Sequence, residues 1–201
     1  QQTAANRFNF TSKKTMSIAQ QLYEGIDLGS ERIGLITYMR TDSTRISNQA
    51  IDETRKFIAE KYSDALPENA QFYSKSDKAQ DAHEAIRPTS VYRTPELVKK
   101  YLTPDQFKIY SIIWERLVAS QMTGAVYENT VFYITSGNVD FKISNSATLK
   151  EGFNLCLNLL KSKEAEKTVR AKFELGEKVN FKQYLPEQHF TQAPPRYTDA
   201  T

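Results

Sequence analysis

Residues 103–144 read TPDQFKIYSIIWERLVASQMTGAVYENTVFYITSGNVDFKIS, and within them the apolar period changes from helical to alternating. Thr103 places a capping hydroxyl before Pro104, and Thr103 with Gln106 has the pattern of a capping box. From there to about Ser120, Phe107, Tyr110, Ile113, Trp114, Leu117 and Val118 recur at the spacing of one helix face, a stripe read as core and not as a ligand box. After Met122-Thr123 the pattern alternates. Asn129 to Ser136 and Val139 to Ser144 are rich in β-branched and aromatic residues and flank Gly137-Asn138, a two-residue hairpin turn. The chain is therefore read as α+β, a helical domain over residues 1–122 followed by a β-rich domain over 123–201, with the boundary near 122–126.

Further from that stretch, Thr11 or Ser12 caps a predicted helix to about Gly25, with Thr15, Ile18, Ala19, Leu22 and Tyr23 on one face. Ile26 to Arg32 is polar and reads as an insertion. Ser47 or Asn48 starts another helix through Tyr62, with Ile51, Thr54, Ile58 and Tyr62 in register and Phe57 alongside. Pro67 to Gln80 is a polar loop carrying Lys75, Asp77 and Lys78, and Thr94-Pro95 repeats the hydroxyl-proline start of a helix. Glu177 to Leu185 is read as a further strand, after a Lys/Glu-rich stretch, Lys161 to Lys172, that is a solvated linker or a frayed helix. No internal repeat is present.

Composition narrows the class without naming it. With 27 Lys+Arg against 24 Asp+Glu the net charge is only +3, which by itself does not imply nucleic acid. A hydrophobic content of 39% over 201 residues supplies real cores, and seven glycines and seven prolines argue against disorder. The single cysteine, Cys156, stands in Phe-Asn-Leu-Cys-Leu-Asn-Leu-Leu, where a buried inert thiol is expected and a cytosolic origin is the default. No apolar run approaches the roughly 20 residues of a membrane helix, and no signal-peptide pattern opens the chain. A start at Gln1 and a stop at Thr201 suggest a piece of a longer protein.

Gly34 to Ser43 (Gly-Leu-Ile-Thr-Tyr-Met-Arg-Thr-Asp-Ser) places a phenol two residues from a guanidinium and four from a carboxylate. A tyrosine oxygen attacks a phosphodiester only where a fixed cation meets the charge that builds on phosphorus. Tyr38 is a candidate nucleophile and Arg40 that cation. If Leu35 to Arg40 is extended, Ile36, Tyr38 and Arg40 share a face and Leu35, Thr37 and Met39 take the other. Spacing alone leaves the bland alternative standing, a tyrosine and arginine engaged in packing or on the surface.

Four segments in order, covering the chain nearly end to end, resemble the bacterial type IA DNA topoisomerases. They are Ser12 to Glu24, Tyr38 to Ser47 (Tyr-Met-Arg-Thr-Asp-Ser-Thr-Arg-Ile-Ser), Ala82 to Thr89 (Ala-His-Glu-Ala-Ile-Arg-Pro-Thr) and His189 to Ala200. The resemblance implies a helical tyrosine-bearing gate domain followed by an incomplete, β-rich half of the arch of a toroid. It implies that Tyr38 cuts one DNA strand through a transient 5′-phosphotyrosine, that a strand passes and the break is religated, and that negative supercoils relax. Arg40 would touch a non-bridging oxygen of the scissile phosphate, and His83 would hydrogen-bond the DNA backbone near the cut. Asp42 would orient Arg40 or cap the following turn. Glu84 and Arg87 are read as an ion pair that fixes the loop, and Lys13 and Lys14 as either backbone contacts or a solvated pair. His189 and Pro194 to Tyr197 receive no catalytic duty.

Magnesium, by the same resemblance, belongs to an acidic Toprim domain that precedes the matched segment. No Asp-x-Asp, Cys-x-x-Cys or phosphate-cradling glycine loop occurs in these residues, so no metal ligands are assigned and the isolated chain is expected to be inactive. The implied partners are single-stranded DNA at the cleavage site and the Toprim and remaining toroid domains, in a cytoplasmic, nucleoid-associated monomer. A non-catalytic DNA-binding gate module is the alternative. Tyrosine recombinases and rolling-circle nucleases need arginine and histidine sets that two isolated histidines do not supply. The discriminating observation is Tyr38 and His83 close together on the helical domain and facing outward.

Overall fold

The computed structural model describes residues 1–73, 83–157, 173–180, 182–183 and 185–193, and within them the fold is mixed helix and small sheets. The helices are α1 (Gln2–Phe8), α2 (Ser12–Glu24), α3 (Asn48–Lys61), α4 (Pro95–Val98) and α5 (Pro104–Ser120), with 3-10 turns at Ser63–Ala65, Lys99–Tyr101 and Gly152–Leu155. Two antiparallel hairpins complete it: β1 (Ile26–Asp27) with β2 (Arg32–Ile33), and β3 (Val126–Ser136) with β4 (Val139–Lys150).

α5 is the mast of the helical part. Its start is fixed by a complete capping box, Thr103 accepting from the Gln106 backbone while the Gln106 side chain accepts from the Thr103 backbone N–H at 2.9 Å. The helices α1, α2, α3 and α4 all pack on it, so burial spreads beyond a single stripe. Phe107 and Ile113 of the predicted stripe are only half-buried, while Ile109, Ser111, Ile112 and Glu115 are buried with Tyr110, Trp114, Leu117 and Val118. The Trp114 ring meets Phe57 of α3 edge-on at 5.5 Å and its indole N–H donates to the Val91 carbonyl at 2.8 Å. Tyr110 donates to the Arg93 carbonyl at 2.6 Å, and burial pushes its phenol pKa well up. These bonds pin the 91–93 segment, which descends from the His83 loop, to the mast.

α2 and α3 follow the expected limits. Thr11 caps α2 by accepting from the Lys14 backbone, Ser47 caps α3 by accepting from that of Ala50, and Gly25, at φ 121°, ends α2. Thr15, Ile18, Ala19 and Leu22 are buried as predicted, but Tyr23 is exposed and turned away from the core. Ile26 to Arg32 forms the β1–β2 hairpin, closed by Leu28 N–H donating to the Glu31 carbonyl at 2.9 Å around Gly29 at φ 90°. α4 starts at Pro95 without a side-chain bond from Thr94 and runs only four residues before tightening into the 3-10 turn.

The second hairpin turns at Gly137-Asn138, with Gly137 at φ 62° as a glycine-first two-residue loop requires, and Ser136 pairing with Val139. It is longer than the alternating pattern suggested, because the ladder continues to Val126 and Lys150 through a bulge at Val126/Tyr127. Its two ends are fastened to the helical body. Thr123 N–H donates to the Ala65 carbonyl at 2.8 Å, Phe153 N–H donates to the Thr123 carbonyl at 3.0 Å, and Gly152, at φ 50°, fits where a Cβ would lie 2.6 Å from the Thr123 oxygen.

Cys156, just past this junction, joins the helical core and is fully buried. Burial pushes its thiol up to about 12, with the nearby Glu115 charge adding to the shift. At pH 8 the thiolate fraction should be roughly a thousandfold below that of an ordinary thiol near pKa 9. A thiol reagent should therefore label Cys156 in denaturant and not in the native protein, and rapid native labelling at pH 8 would contradict this burial.

The described residues of the predicted strand Glu177 to Leu185 form no strand. None of its described residues pairs with another segment; they are exposed and follow a turn at Gly176, φ 81°. A strand requires a ladder partner, and among the described residues none lies beside it. Lys75, Asp77 and Lys78 and the stretch Lys161 to Lys172 lie outside the described residues.

Candidate active site

The Tyr38 segment is built against the end of α2. Leu35 N–H donates to the Leu22 carbonyl at 2.8 Å, and a Cβ on Gly34 would lie 2.6 Å from the Tyr23 carbonyl oxygen, an approach only glycine permits. Leu35 and Ile36 are then both buried, at 0% and 1% exposure. The expected alternation consequently fails at Ile36, which faces the core and bridges Pro88 instead of sharing the Tyr38 face. It holds from Tyr38 onward. Tyr38 is 38% exposed, Met39 is buried and Arg40 is exposed.

The His83 loop is laced to this segment through Thr37 and Thr89. Thr37 N–H donates to the Arg87 carbonyl at 2.9 Å, its hydroxyl donates to the Ala85 carbonyl at 2.9 Å, and the same hydroxyl accepts from Arg87 N–H at 3.0 Å. Thr89 N–H donates to the Leu35 carbonyl at 3.0 Å and its hydroxyl to the Gly34 carbonyl at 2.8 Å. Ala85 N–H reaches the Arg45 carbonyl at 2.7 Å, so residues 85–89 are held on both sides. The predicted Glu84–Arg87 pair forms: Arg87 donates twice to one Glu84 oxygen, at 2.8 and 3.0 Å, and also to the Pro88 carbonyl at 3.2 Å.

This lacing brings His83 onto Tyr38. The two rings stack with centroids 5.5 Å apart and planes 29° apart, and the half-buried imidazole leaves the phenol open to solvent. On α2, Tyr23 meets Tyr38 edge-on, also at 5.5 Å, with planes 70° apart. Arg40 follows on the same exposed side, and among the described residues its guanidinium has no hydrogen-bond or ion-pair partner. Asp42 is exposed and, among the described residues, forms no hydrogen bond or ion pair with Arg40. The turn after it is capped by Thr41, which accepts from Ser43 N–H at 3.0 Å, and then by Ser43, which accepts from Arg45 N–H at 3.2 Å.

Lys13 and Lys14 lie in the first turn of α2, about 14 Å of helix rise from Tyr23, which is the α2 residue that meets Tyr38. Lys14 pairs with Asp105 at 2.7 Å and covers the Phe10 ring at 4.0 Å, and its hydrogen bond holds the Asp105 carboxyl below its usual range. Three residues that shape the site escaped sequence reading. Gly34 and Thr37 sit where an apolar run contains a residue without a side chain and one with a hydroxyl, a usable signal. Tyr23 gave none, because its helical register resembles that of a core residue.

Among the described residues no group of three or more His, Cys, Asp or Glu side chains is disposed to hold a metal. The carboxylate beside the cluster, Glu84, is already taken by Arg87. The donor set among the described residues does not fit a magnesium ion.

The Gly34 approach carries a direct prediction. Gly34→Ala must push apart two backbones, with an expected cost of about 1–3 kcal/mol and displacement of Tyr38. A melting curve indistinguishable from wild type would show that the contact is not tight.

The Tyr38 phenol and the His83 imidazole thus meet on an exposed edge, with the exposed Arg40 two residues along the chain. The family profile described as DNA topoisomerase matches residues 1–201, and the chain belongs to the bacterial type IA DNA topoisomerase family. It is 51% identical over 201 residues, its whole length, to DNA topoisomerase 1 of Treponema pallidum (strain Nichols), an isomerase, of which it spans 28%. It also resembles full-length topoisomerase I from Thermotoga maritima in a monoclinic crystal form, with a TM-score of 0.69 at 40% identity, over 87% of this chain and 27% of that one. No helix among the described residues is long and apolar enough to cross a membrane.

Proposed function

We propose that this chain supplies the nucleophile and its phosphate-facing side chains to a type IA topoisomerase. The Tyr38 oxygen bonds to phosphorus, the bond from phosphorus to the 3′-oxygen breaks, and the downstream strand is left on the enzyme as a 5′-phosphotyrosine. The phenolic proton leaves to a base, and the 3′-oxygen gains one from an acid, both in domains outside this chain. Strand passage and reversal of the attack then relax negative supercoils, with the ester conserving the energy of the phosphodiester. The observation that carries the reading is the stacked Tyr38–His83 pair on an exposed edge, with Arg40 exposed two residues along the chain. Arg40 faces the charge growing on the non-bridging oxygens, and His83 holds the DNA backbone.

In this reading residues 1–122 are the gate domain and 123–201 part of the arch that hinges it. Magnesium is held by a Toprim domain elsewhere in a cytoplasmic, monomeric enzyme that acts on single-stranded DNA at the gate. Polarity of attachment tests the chemistry. With the full-length enzyme, an oligonucleotide labelled downstream of the cut should transfer its label to protein on denaturation, and one labelled upstream should release a labelled product ending in a free 3′-hydroxyl. The opposite pattern refutes a 5′-phosphotyrosine. Purified residues 1–201 should show neither relaxation nor adduct with magnesium, and activity in that preparation would mean that the missing domains are dispensable.

A further inference from the structure

The Tyr38 ring has a second aromatic neighbour that the reaction does not require. Tyr23 lies in the last turn of α2, is 41% exposed, and buries no ring in the core. Its hydroxyl has no hydrogen-bond partner among the described residues, and the described ring that it touches is Tyr38, edge-on at 5.5 Å. Nothing in the packing of α2 calls for an aromatic residue there. The backbone beneath holds the pair in place, since the Tyr23 carbonyl lies against Gly34 and Leu35 N–H is bonded to the Leu22 carbonyl. Tyr38 thus leaves the core on a short tether, with one ring stacked on it from the His83 loop and another meeting it from α2.

From this placement, and resting on the proposed role of Tyr38, we infer that Tyr23 is a positioning residue that fixes the ring orientation of the nucleophile so that its oxygen is presented to the scissile phosphate. An exposed tyrosine would otherwise sample several side-chain rotamers, and each unproductive one subtracts from the population poised for attack. The edge-to-face contact needs the Tyr23 ring and not its hydroxyl. The restraint acts on the transition state shared by cleavage and religation, so it changes both rates together and leaves DNA affinity alone.

The test uses the full-length enzyme and a single-stranded oligonucleotide, with affinity, single-turnover cleavage and religation measured for each variant. Tyr23→Leu should slow cleavage and religation by the same factor, about threefold to tenfold, with affinity unchanged within about twofold. Tyr23→Phe should cleave like wild type, a rescue that a hydroxyl role would not allow. A wild-type rate in Tyr23→Leu overturns the inference, as does damage in Tyr23→Phe equal to that in Tyr23→Leu. A loss of affinity matching the loss of rate also overturns it, and would make Tyr23 a platform for a nucleobase. Should Tyr23→Leu fail to fold, Tyr23→Gln takes its place, and unfolding of both would make Tyr23 a structural residue and refute the proposal. Tyr38→Phe runs alongside: adducts surviving in it refute the nucleophile assignment itself, whereas their loss, with normal rates in Tyr23→Leu, refutes only the role of Tyr23.

Discussion

Replacing Tyr38 by phenylalanine in the full-length enzyme should abolish covalent DNA adducts and supercoil relaxation while leaving the protein folded. The expectation follows from what the hydroxyl touches. Among the described residues it accepts and donates no hydrogen bond, and the ring contacts to His83 and Tyr23 are made by carbon atoms that phenylalanine retains. Removing one solvent-facing hydroxyl should change stability by no more than about 0.5 kcal/mol. Noncovalent oligonucleotide binding should persist, since the ring remains. A large fall in melting temperature would assign the hydroxyl to the fold, and residual adduct would place the nucleophile elsewhere.

Arg40→Ala should separate rate from binding. If the guanidinium meets charge that grows between ground and transition state, its loss should lower the cleavage rate about 10²- to 10³-fold. Affinity should fall only by the share of one phosphate contact, about threefold to tenfold. Arg40→Lys should recover part of the rate, because lysine restores the charge without the planar fork that addresses two oxygens. His83→Ala, measured beside it, should weaken binding and cleavage together, as expected for a group that holds the strand before reaction. Equal small effects of both substitutions on rate and affinity, together with lost stability, would reduce the two residues to supports of the helical domain.

The legible parts of this molecule were those specified locally. Thr103-Pro104 with Gln106, a cap at Thr11 or Ser12 and at Ser47 or Asn48, and Gly137-Asn138 between alternating segments each encode structure within a few residues; the structure forms the box and the turn and settles the caps on Thr11 and Ser47. What was not legible depends on partners distant in sequence. Ile36 faces inward because Pro88, some fifty residues on, bridges it, which no alternation rule anticipates. Glu115 is buried on the mast because α1 covers that side and brings Arg7 to within 3.5 Å. Glu177 to Leu185 has the composition of a strand, but among the described residues it has no ladder to join. In the candidate site the motif residues could be named, but their meeting could not, because it is made by the hydroxyls of Thr37 and Thr89 and by the bare backbone of Gly34. Tyr23 was misplaced for a related reason. Helical register assigns it to a face, whereas the β1–β2 hairpin returns the chain so that its ring meets Tyr38 outside the core.

In the proposed reaction the Tyr38 oxygen is the point of attachment to DNA. That attachment is tested most directly by trapping the full-length enzyme on an oligonucleotide with denaturant, digesting protein and DNA, and sequencing the modified peptide by mass spectrometry. One nucleotide-bearing peptide is expected, spanning the Tyr38 segment, with the added mass on Tyr38 through a 5′-phosphate. A modification on any other tyrosine, or a 3′-phosphate linkage at Tyr38, would contradict it.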